Sequence, residues 1–251
     1  MLSRAWELLI SGDPLKALEM YNLLSVNLDA LPTYQQRGIL YINRAHALAA
    51  LGRFAEAAES ALTADYMTSE CGNTGMRYLL ESSKLFWLAG DPDRALKLAL
   101  QDVESIVVGK TRFADFGGGS SNALNLFYVA QRLDAASEKK RAIAFMRKRA
   151  KSKASIGWPR PVLMHVLGEL GYADLLQSAC GAATLNEALS NSQTDLIVKR
   201  QLPVALFYAA LKNAVDGDDT QKIAHWRACC SITAAVPVLE WYMAKAEIEC
   251  G

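Results

Sequence analysis

The sequence predicts an all-α protein, and three observations lead to that prediction. Alanine and leucine, two of the strongest helix formers, supply 39 and 35 of the 251 residues. Apolar residues recur at helical spacing through most of the chain, and no segment sustains the alternation of a half-buried strand. Because 51% of the residues are hydrophobic, the chain can bury a large core, which excludes an intrinsically disordered protein. We expect helix to exceed about 65% of the residues.

Charge and cysteine content narrow the class of protein further. The 27 Lys and Arg nearly balance the 26 Asp and Glu, so the chain has no overall attraction to nucleic acid or to a membrane surface. The five cysteines are odd in number and form no C-x-x-C pair, which indicates buried thiols in a reducing compartment. No apolar stretch reaches the roughly 20 residues of a membrane span, and Glu7 interrupts any signal-peptide pattern. We therefore expect a cytoplasmic chain without a membrane span.

Three segments in the first half of the chain share one pattern, a glycine between two helical stretches. A small residue stands seven positions before each glycine and an alanine five positions after it, in the sets Ala5-Gly12-Ala17, Ala45-Gly52-Ala57 and Ser83-Gly90-Ala95. Glycine ends a helix in the left-handed conformation at little cost, and small residues let paired helices approach closely. Pro14 and Pro92 fall in the first turn of a following helix, where a missing N–H is harmless. Each segment therefore predicts an antiparallel helical hairpin.

Two further hairpins are predicted in the second half of the chain. Helical stretches at 122–136 and 138–152 meet at a turn that lacks glycine. A clearer hairpin joins 202–216 to 220–232 through Gly217. The pattern is weaker here, but the helical period is the same in all four stretches.

The remaining segments predict a corner and a closing helix. Pro159 and Pro161 flank a short apolar run, which indicates a rigid corner that leads into short helices. Residues 236–249 form an amphipathic pattern that would cap the exposed end of a helical stack. We divide the chain into N-terminal hairpins at 1–156, the corner with short helices at 157–194, and a C-terminal hairpin with its capping helix at 195–251. These parts are expected to form one continuous solenoid domain.

The hairpin pattern resembles the tetratricopeptide repeat family. The resemblance is best over residues 44–64, where Gly52, Phe54, Ala57, Ala61 and Ala64 fit the family pattern. The glycines stand 40 and 38 residues apart, rather than the 34 of the family, which indicates longer connections between hairpins. The resemblance implies an α-solenoid of antiparallel hairpins coiled into a right-handed superhelix.

Residues 157–251 also resemble bacterial repeat proteins related to the lipoprotein NlpI. The resemblance rests on the proline-containing corner, the Gly217 hairpin and the final helix around Trp241. Those lipoproteins are anchored to a membrane through an N-terminal cysteine. No cysteine precedes Cys71 in this chain, so the anchor is not carried over.

In the register of the repeat, eight side chains are expected to line the concave face of the first helices. They are Trp6, Ile42, His46, Arg77, Lys84, Trp87, Phe127 and Gln131. Arg77, Lys84, Trp87 and Phe127 are the expected anchors for a partner, because Arg and aromatic side chains concentrate the free energy of binding. Arg77 and Lys84 are two helical turns apart, so we expect them on one line of an exposed helix face. Alternatively, each of the eight side chains simply packs between repeats.

Residues 139–153 carry the strongest charge signal, with eight Lys or Arg and no acid. On a helical wheel, one arc carries the apolar residues Ala142, Ile143, Met146 and Ala150. The opposite arc carries the cations Lys140, Arg141, Arg147, Lys148 and Lys151. This predicts an amphipathic helix whose basic face is either solvated or bound to an anionic partner. An acidic protein, lipid head groups and nucleic acid are the alternatives, and the near-zero net charge disfavours nucleic acid.

Motifs for catalysis, metal binding or a cofactor are weak. His225 and Cys229 would supply only two zinc ligands, so burial of both is the preferred interpretation. Gly109-Lys110-Thr111 lacks the second glycine of a phosphate-binding loop. Asp115-Phe116-Gly117 has no catalytic-loop partner, and the glycine run at 117–121 is interpreted as a linker rather than an anion site. We expect no catalytic residue, no metal and no cofactor.

The sequence therefore favours a non-enzymatic scaffold or adaptor that binds a peptide or protein partner in a concave groove. A bacterial adaptor, a secretion accessory and an immunity protein against a toxin are not separable. An enzyme hosted in a helical solenoid and a purely structural self-association module are the alternatives, and a homo-oligomer is compatible with each. A deep polar pocket would favour catalysis, whereas a broad apolar groove would favour binding.

Overall fold

The computed structural model describes residues 1–69, 77–109, 118–153, 157–193, 195–232 and 238–250. Helix accounts for 80% of this described part, which contains no strand, so the all-α prediction is confirmed. The chain divides into two compact units, Met1–Ala114 and Asp115–Gly251. The boundary between them differs from the divisions at 156 and 194, which stay predictions, as does a single right-handed solenoid.

The first unit consists of three helical hairpins. Its helices are α1 (Leu2–Ile10), α2 (Pro14–Val26), α3 (Tyr34–Ala50), α4 (Phe54–Ser69), α5 (Leu79–Leu88) and α6 (Pro92–Val107), with a 3-10 turn at Leu28–Ala30. Each helix packs against the next, and α1 also contacts α3. The three predicted hairpins are therefore α1/α2, α3/α4 and α5/α6.

All three hairpins turn with the same backbone hydrogen bonds. Gly12, Gly52 and Gly90 have φ values of 90°, 73° and 79°, in the left-handed region. The residue after each glycine donates its N–H to the carbonyl five positions earlier at 2.9 Å, as Arg53 does to Leu48. The glycine N–H donates to the carbonyl three positions earlier. This pair of bonds is the Schellman motif, which satisfies carbonyls at the helix end that would otherwise lack a partner.

The small residues around each turn form the contact between paired helices. The six predicted positions, Ala5, Ala17, Ala45, Ala57, Ser83 and Ala95, have no exposed surface. In the third hairpin, Ser83 Oγ donates a hydrogen bond to the Ala95 carbonyl at 2.8 Å. A larger side chain at any of these positions would force the two helices apart.

The second unit is built around its longest helix. Its helices are α7 (Ser120–Arg132), α8 (Ala136–Ala150), α9 (Arg160–Val166), α10 (Tyr172–Cys180), α11 (Leu185–Asn191), α12 (Leu196–Asp216), α13 (Asp219–Ser231) and α14 (Leu239–Cys250). The α12 helix packs against α9, α10, α13 and α14. Phe207 and Tyr208 on α12 are almost completely buried and lie at the centre of this core.

The turn between α7 and α8 lies earlier than predicted. It is centred on Asp134, which has a φ of 49° and takes the place of glycine. Ala135 donates its N–H to the Ala130 carbonyl at 2.9 Å, as in the three glycine turns. Aspartate adopts the left-handed conformation more readily than most residues, so a search for glycine misses this turn.

Two other boundaries differ from the sequence prediction. The short helices expected after the proline corner form a complete hairpin, α9/α10, in which Gly168 has a φ of 78° and Glu169 N–H donates to the Met164 carbonyl. The α12 helix begins at Leu196 rather than 202 and contains Pro203 in its interior. Proline usually occupies the first turn of a helix, so Pro203 inside α12 is an exception to that preference.

Replacing Gly52 with valine should lower the free energy of unfolding by roughly 1 kcal/mol or more, because a β-branched residue is strained at positive φ. A Cβ at Gly52 would have no heavy atom within 4 Å, so the cost comes from the backbone and not from a clash. Urea denaturation measures the effect, with Gly52→Asn as the control that tolerates this conformation. Equal stability of Gly52→Val and Gly52→Asn would contradict the assigned turn.

Asp134→Gly should stabilise the chain by about 0.5 kcal/mol, because relief of left-handed strain exceeds the added entropy of the unfolded chain. Asp134 is exposed, so the substitution removes little packing. The variant Asp134→Ala removes the carboxylate but keeps the strained backbone. Comparing the free energies of unfolding of the two variants by denaturation therefore isolates the contribution of the backbone conformation. A destabilised Asp134→Gly variant would show that the aspartate side chain itself holds the turn.

Candidate functional site

The expected concave-face residues of the first unit occupy equivalent positions in successive hairpins. Trp6, His46 and Lys84 each stand six positions before the turn glycine, on α1, α3 and α5. Trp6 and His46 are half-buried, as is Trp87 one turn after Lys84. Ile42, one turn before His46, is buried at 7% exposure. The first helices thus present a row of partly exposed aromatic and imidazole rings.

Arg77 does not lie on the helix that carries Lys84, so the predicted line along one helix is wrong. The α5 helix begins at Leu79, after Arg77. The Nε and Nη2 atoms of Arg77 donate to the two carboxylate oxygens of Asp65, at 2.7 and 2.8 Å. The backbone N–H of Tyr78 donates to Asp65 Oδ1 at 2.8 Å. Asp65, on α4, therefore fixes the backbone at the start of α5.

The ion pair between Arg77 and Asp65 is largely removed from solvent. The side chains of Arg77 and Asp65 are 19% and 9% exposed. The hydrogen bond to Asp65 raises the pKa of the Arg77 guanidinium, in opposition to the effect of burial. Bidentate pairing with hydrogen bonds on both oxygens offsets part of the desolvation of the two charges. Asp65 therefore already neutralises the charge of Arg77 within the first unit.

Lys84 is buried at 6% exposure, which corrects the expectation of an exposed position. The five consecutive residues 82–86 are all buried. Since successive residues point 100° apart around a helix, α5 is enclosed on every side along this stretch. The substitution Lys84→Glu would place a carboxylate in this buried environment, so it would report on folding as well as on binding.

In the second unit, the turn at Asp134 moves the register of α7. Phe127 now stands seven positions before the turn, the position of the small residues in the other hairpins, and is 5% exposed. Tyr128 takes the position equivalent to His46 and is fully buried. Gln131 is half-buried. The two expected site residues of α7 therefore differ, because Phe127 lies in the core and Gln131 reaches the surface.

Tyr128 belongs to a buried polar contact that connects α7 with α14. Its hydroxyl donates a hydrogen bond to Glu247 Oε1 at 2.6 Å, and Arg132 Nε lies 3.0 Å from the same oxygen. Burial, together with the Glu247 carboxylate, raises the pKa of Tyr128 well above its ordinary value. The phenol thus stays protonated and the carboxylate charge is shared by two donors, which anchors the last helix.

The basic segment forms α8 and has one buried side. Ala142, Met146 and Ala150 are buried, and Ile143 is half-buried. The five expected cations, Lys140, Arg141, Arg147, Lys148 and Lys151, are all exposed. Lys151 follows the last helical residue, so the basic face covers α8 and its C-terminal end.

A buried cluster in the second unit was not found from the sequence. His165, Tyr172, Asn213 and His225 meet from four different helices, α9, α10, α12 and α13. The Tyr172 ring centroid lies 4.5 Å from that of His225 and 6.1 Å from that of His165. His165 Nδ1 donates to the Leu170 carbonyl at 2.9 Å, and Asn213 Nδ2 donates to His225 Nδ1 at 2.9 Å. The spacing Gly168–Ala173, which repeats that of the other hairpins, was the available sequence signal for this region.

Both histidines of the cluster are held in the neutral form. Burial lowers the pKa of His165 and of His225 below the ordinary value for histidine, about 6.5. The Lys212 charge lowers the pKa of His165 further, and the Asp216 charge partly opposes this. In the same way, His165 lowers the pKa of His225, and the Asp218 charge partly opposes this. Since Nδ1 of His225 accepts a hydrogen bond, protonation of that atom would also break the contact with Asn213.

His225 and Cys229 do not point to a shared metal ion. Cys229 Sγ donates to the Pro203 carbonyl at 3.4 Å, and burial raises the pKa of this thiol well above its usual range. Across the described ranges, no group of three or more His, Cys, Asp and Glu side chains is arranged to hold a metal. Lys110, Thr111 and residues 115–117, the candidates for phosphate or kinase-like chemistry, lie outside the described residues.

A shallow pocket opens between α3 and α4. Its lining includes Tyr41, Arg44, Glu56, Glu59 and Ser60. Glu56 forms an ion pair with Arg53 at 2.6 Å, and Ser60 Oγ donates to the Tyr41 carbonyl at 2.9 Å. Glu59 is also paired, with Arg94 at 2.6 Å. The contacts of Ser60 and Glu59 join neighbouring helices, and each of the two carboxylates is paired with an arginine.

Comparison of the chain with protein-family models, with curated proteins and with solved structures found no match. The resemblance to tetratricopeptide repeat proteins stays a prediction from the hairpin spacing. Among the helices of the described ranges, none is long and apolar enough to cross a bilayer.

The neutral histidine cluster predicts a loss of stability in mild acid. An unfolded histidine binds a proton near pH 6.5, whereas the folded pKa is lower, so the unfolded state takes up protons first as the pH falls. This contribution is complete above pH 6.5 and is lost as the pH falls through the folded pKa values. Urea denaturation at a series of pH values should show a smaller loss for His225→Gln than for the wild type.

The variant Asn213→Asp provides an independent test that keeps the histidine. A carboxylate next to His225 Nδ1 favours the charged imidazolium and raises the pKa of His225. The loss of stability on acidification should then be smaller than in the wild type, while Asn213→Gln should retain the wild-type slope. Identical slopes in all these variants would show that the cluster does not control the acid response.

Proposed function

We propose that the first unit is a non-enzymatic scaffold that binds a protein or peptide partner on the first helices of its hairpins. The observation that carries this proposal is the repeated placement of half-buried rings on α1, α3 and α5. Trp6 and His46 stand at the same position relative to their turns, and Trp87 is one turn further along α5. Stacked hairpins present such equivalent positions to one extended ligand.

The chemistry of this face favours a partner with apolar or aromatic side chains. Trp6 and Trp87 are half-buried, and covering apolar surface that remains exposed to water favours a complex. Arg77 is paired with Asp65 and Lys84 is buried, so neither supplies an exposed positive charge at the anchor positions. Recognition on this face would thus depend on ring contacts rather than on the charges of Arg77 and Lys84.

Site-specific photocrosslinking in native cells tests the proposal directly. A photoreactive phenylalanine derivative at position 46 should capture a partner, which mass spectrometry then identifies. The matched control places the same group at position 23, because Leu23 is 66% exposed on α2, a second helix. Equal crosslinking to the same protein from positions 46 and 23, or none from position 46, would reject the first-helix face.

Binding of the identified partner supplies the quantitative test. His46→Ala should weaken the purified complex by about tenfold, whereas Leu23→Ala should change its affinity by less than about twofold. Urea midpoints of both variants establish that each is folded. A normal affinity for folded His46→Ala would contradict the proposal, even if a partner is captured.

A further inference from the structure

Most apolar side chains of α8 are already buried by packing within the second unit. It packs against α7 and α9. Phe145 and Met146 are buried at 5% and 0% exposure, and the Arg149 guanidinium lies over the Phe145 ring at 4.8 Å. The opposite side consists of the basic face, the five residues Lys140, Arg141, Arg147, Lys148 and Lys151. Any further contact of α8 must therefore involve this charged side.

The basic face forms one continuous stripe. Lys140, Ala144, Arg147, Lys148 and Lys151 follow the spacing of a single helix face, and Ala144 is exposed among the cations. The eleven steps along the chain from Lys140 to Lys151 correspond to a length of about 16 Å at the rise of an α-helix. The small side chain at the centre leaves room for a partner backbone to approach the surrounding charges.

The acids of the described residues do not neutralise Lys140, Arg147, Lys148 or Lys151 of this stripe. Residues 139–153 contain eight cations and no acid, while the other 19 Lys and Arg face 26 Asp and Glu. No acid in the described part of the chain forms an ion pair with Lys140, Arg147, Lys148 or Lys151. Arg147 and Lys151 are one turn apart, a spacing at which like charges destabilise a helix.

The helix dipole accounts for only part of the stripe. Arg147 and Lys148 lie in the last turn of α8, where cations stabilise the negative helix end. Lys140 and Arg141 lie in the N-terminal half, where the same dipole gives them no such benefit. The helix dipole therefore does not account for these two cations of the basic face.

We propose that the basic face of α8 is an interaction surface for an acidic protein segment. It lies in the second unit and shares no residue with the ring-lined face of the first unit, so it extends beyond the function proposed above. A partner helix with carboxylates on one face would place opposite charges along the stripe. Binding of this helix relieves the repulsion among the cations, and salt weakens the attraction between the two helices strongly.

Two other anionic ligands fit the surface less well. A helix that lies on a membrane inserts its apolar side chains, but Ala142, Phe145, Met146 and Ala150 of α8 are buried within the unit. Nucleic acid requires a broad basic surface, whereas the chain outside residues 139–153 carries excess acid and would repel an extended polyanion. Phe145, the aromatic residue of α8, is buried and presents no ring for base stacking.

The test compares three probes with the full chain at physiological ionic strength. They are a synthetic helical peptide with glutamates along one face, a short DNA duplex, and vesicles that contain phosphatidylserine. The glutamate peptide should bind, and its glutamine counterpart should not. Stronger binding to the duplex or to the vesicles than to the peptide would overturn the proposal, as would the absence of peptide binding.

Paired variants locate the binding surface. Lys140→Gln/Arg147→Gln should weaken peptide binding by about tenfold, and raised salt should remove most of that difference. The control Arg200→Gln/Arg227→Gln removes the same charge from exposed positions on α12 and α13 of the same unit. An equal loss in the control would mean that net charge and not the basic face determines binding. Circular dichroism establishes that each variant retains its helices.

Discussion

The left-handed residue at the end of each first helix is the constraint on which the rest of the structure depends. At Gly12, Gly52 and Gly90 it reverses the chain within a few residues and satisfies the last carbonyls of the helix. The reversal places the two helices side by side, and the contact is tight enough to require small residues such as Ser83 and Ala95. The turn also fixes which residues of the first helix face outward, because rotation along the helix is counted from its end. The position of His46 on the candidate binding face follows from the position of Gly52.

The sequence was sufficient where a local rule determines the backbone. The three glycine hairpins are predicted correctly because glycine alone adopts positive φ without strain. The Asp134 turn has the same geometry, but aspartate is common in many other conformations, so its register was misassigned and Phe127 was expected on the surface. Arg77 was placed on a helix by spacing alone. A contact with Asp65, twelve residues earlier in the chain, holds it ahead of that helix, and no local pattern contains this information.

The candidate sites depend on burial, which periodicity reveals only when one side of a helix is exposed. The α8 helix has such a side, so its cations were assigned correctly from the wheel. The α5 helix is enclosed along residues 82–86, so the same reasoning wrongly predicted that Lys84 is exposed. The histidine cluster could not be found because its members come from four helices of the second unit. The chain is nearly neutral, yet it combines a buried ion pair with a concentrated basic face. The net charge of the chain therefore gives no information about how its charged residues are distributed.

Asp65 has a further consequence for how this chain can change in evolution. Its carboxylate holds both the Arg77 side chain and the Tyr78 N–H, so the start of α5 is attached directly to α4. The start of the third hairpin is thereby held by contacts of residues 65, 77 and 78, which lie on either side of the connection from Ser69 to Arg77. Doubling the length of such a connection costs only about 0.6 kcal/mol of closure entropy. Insertions and deletions should accumulate between these two residues, while the hairpins on either side keep their lengths.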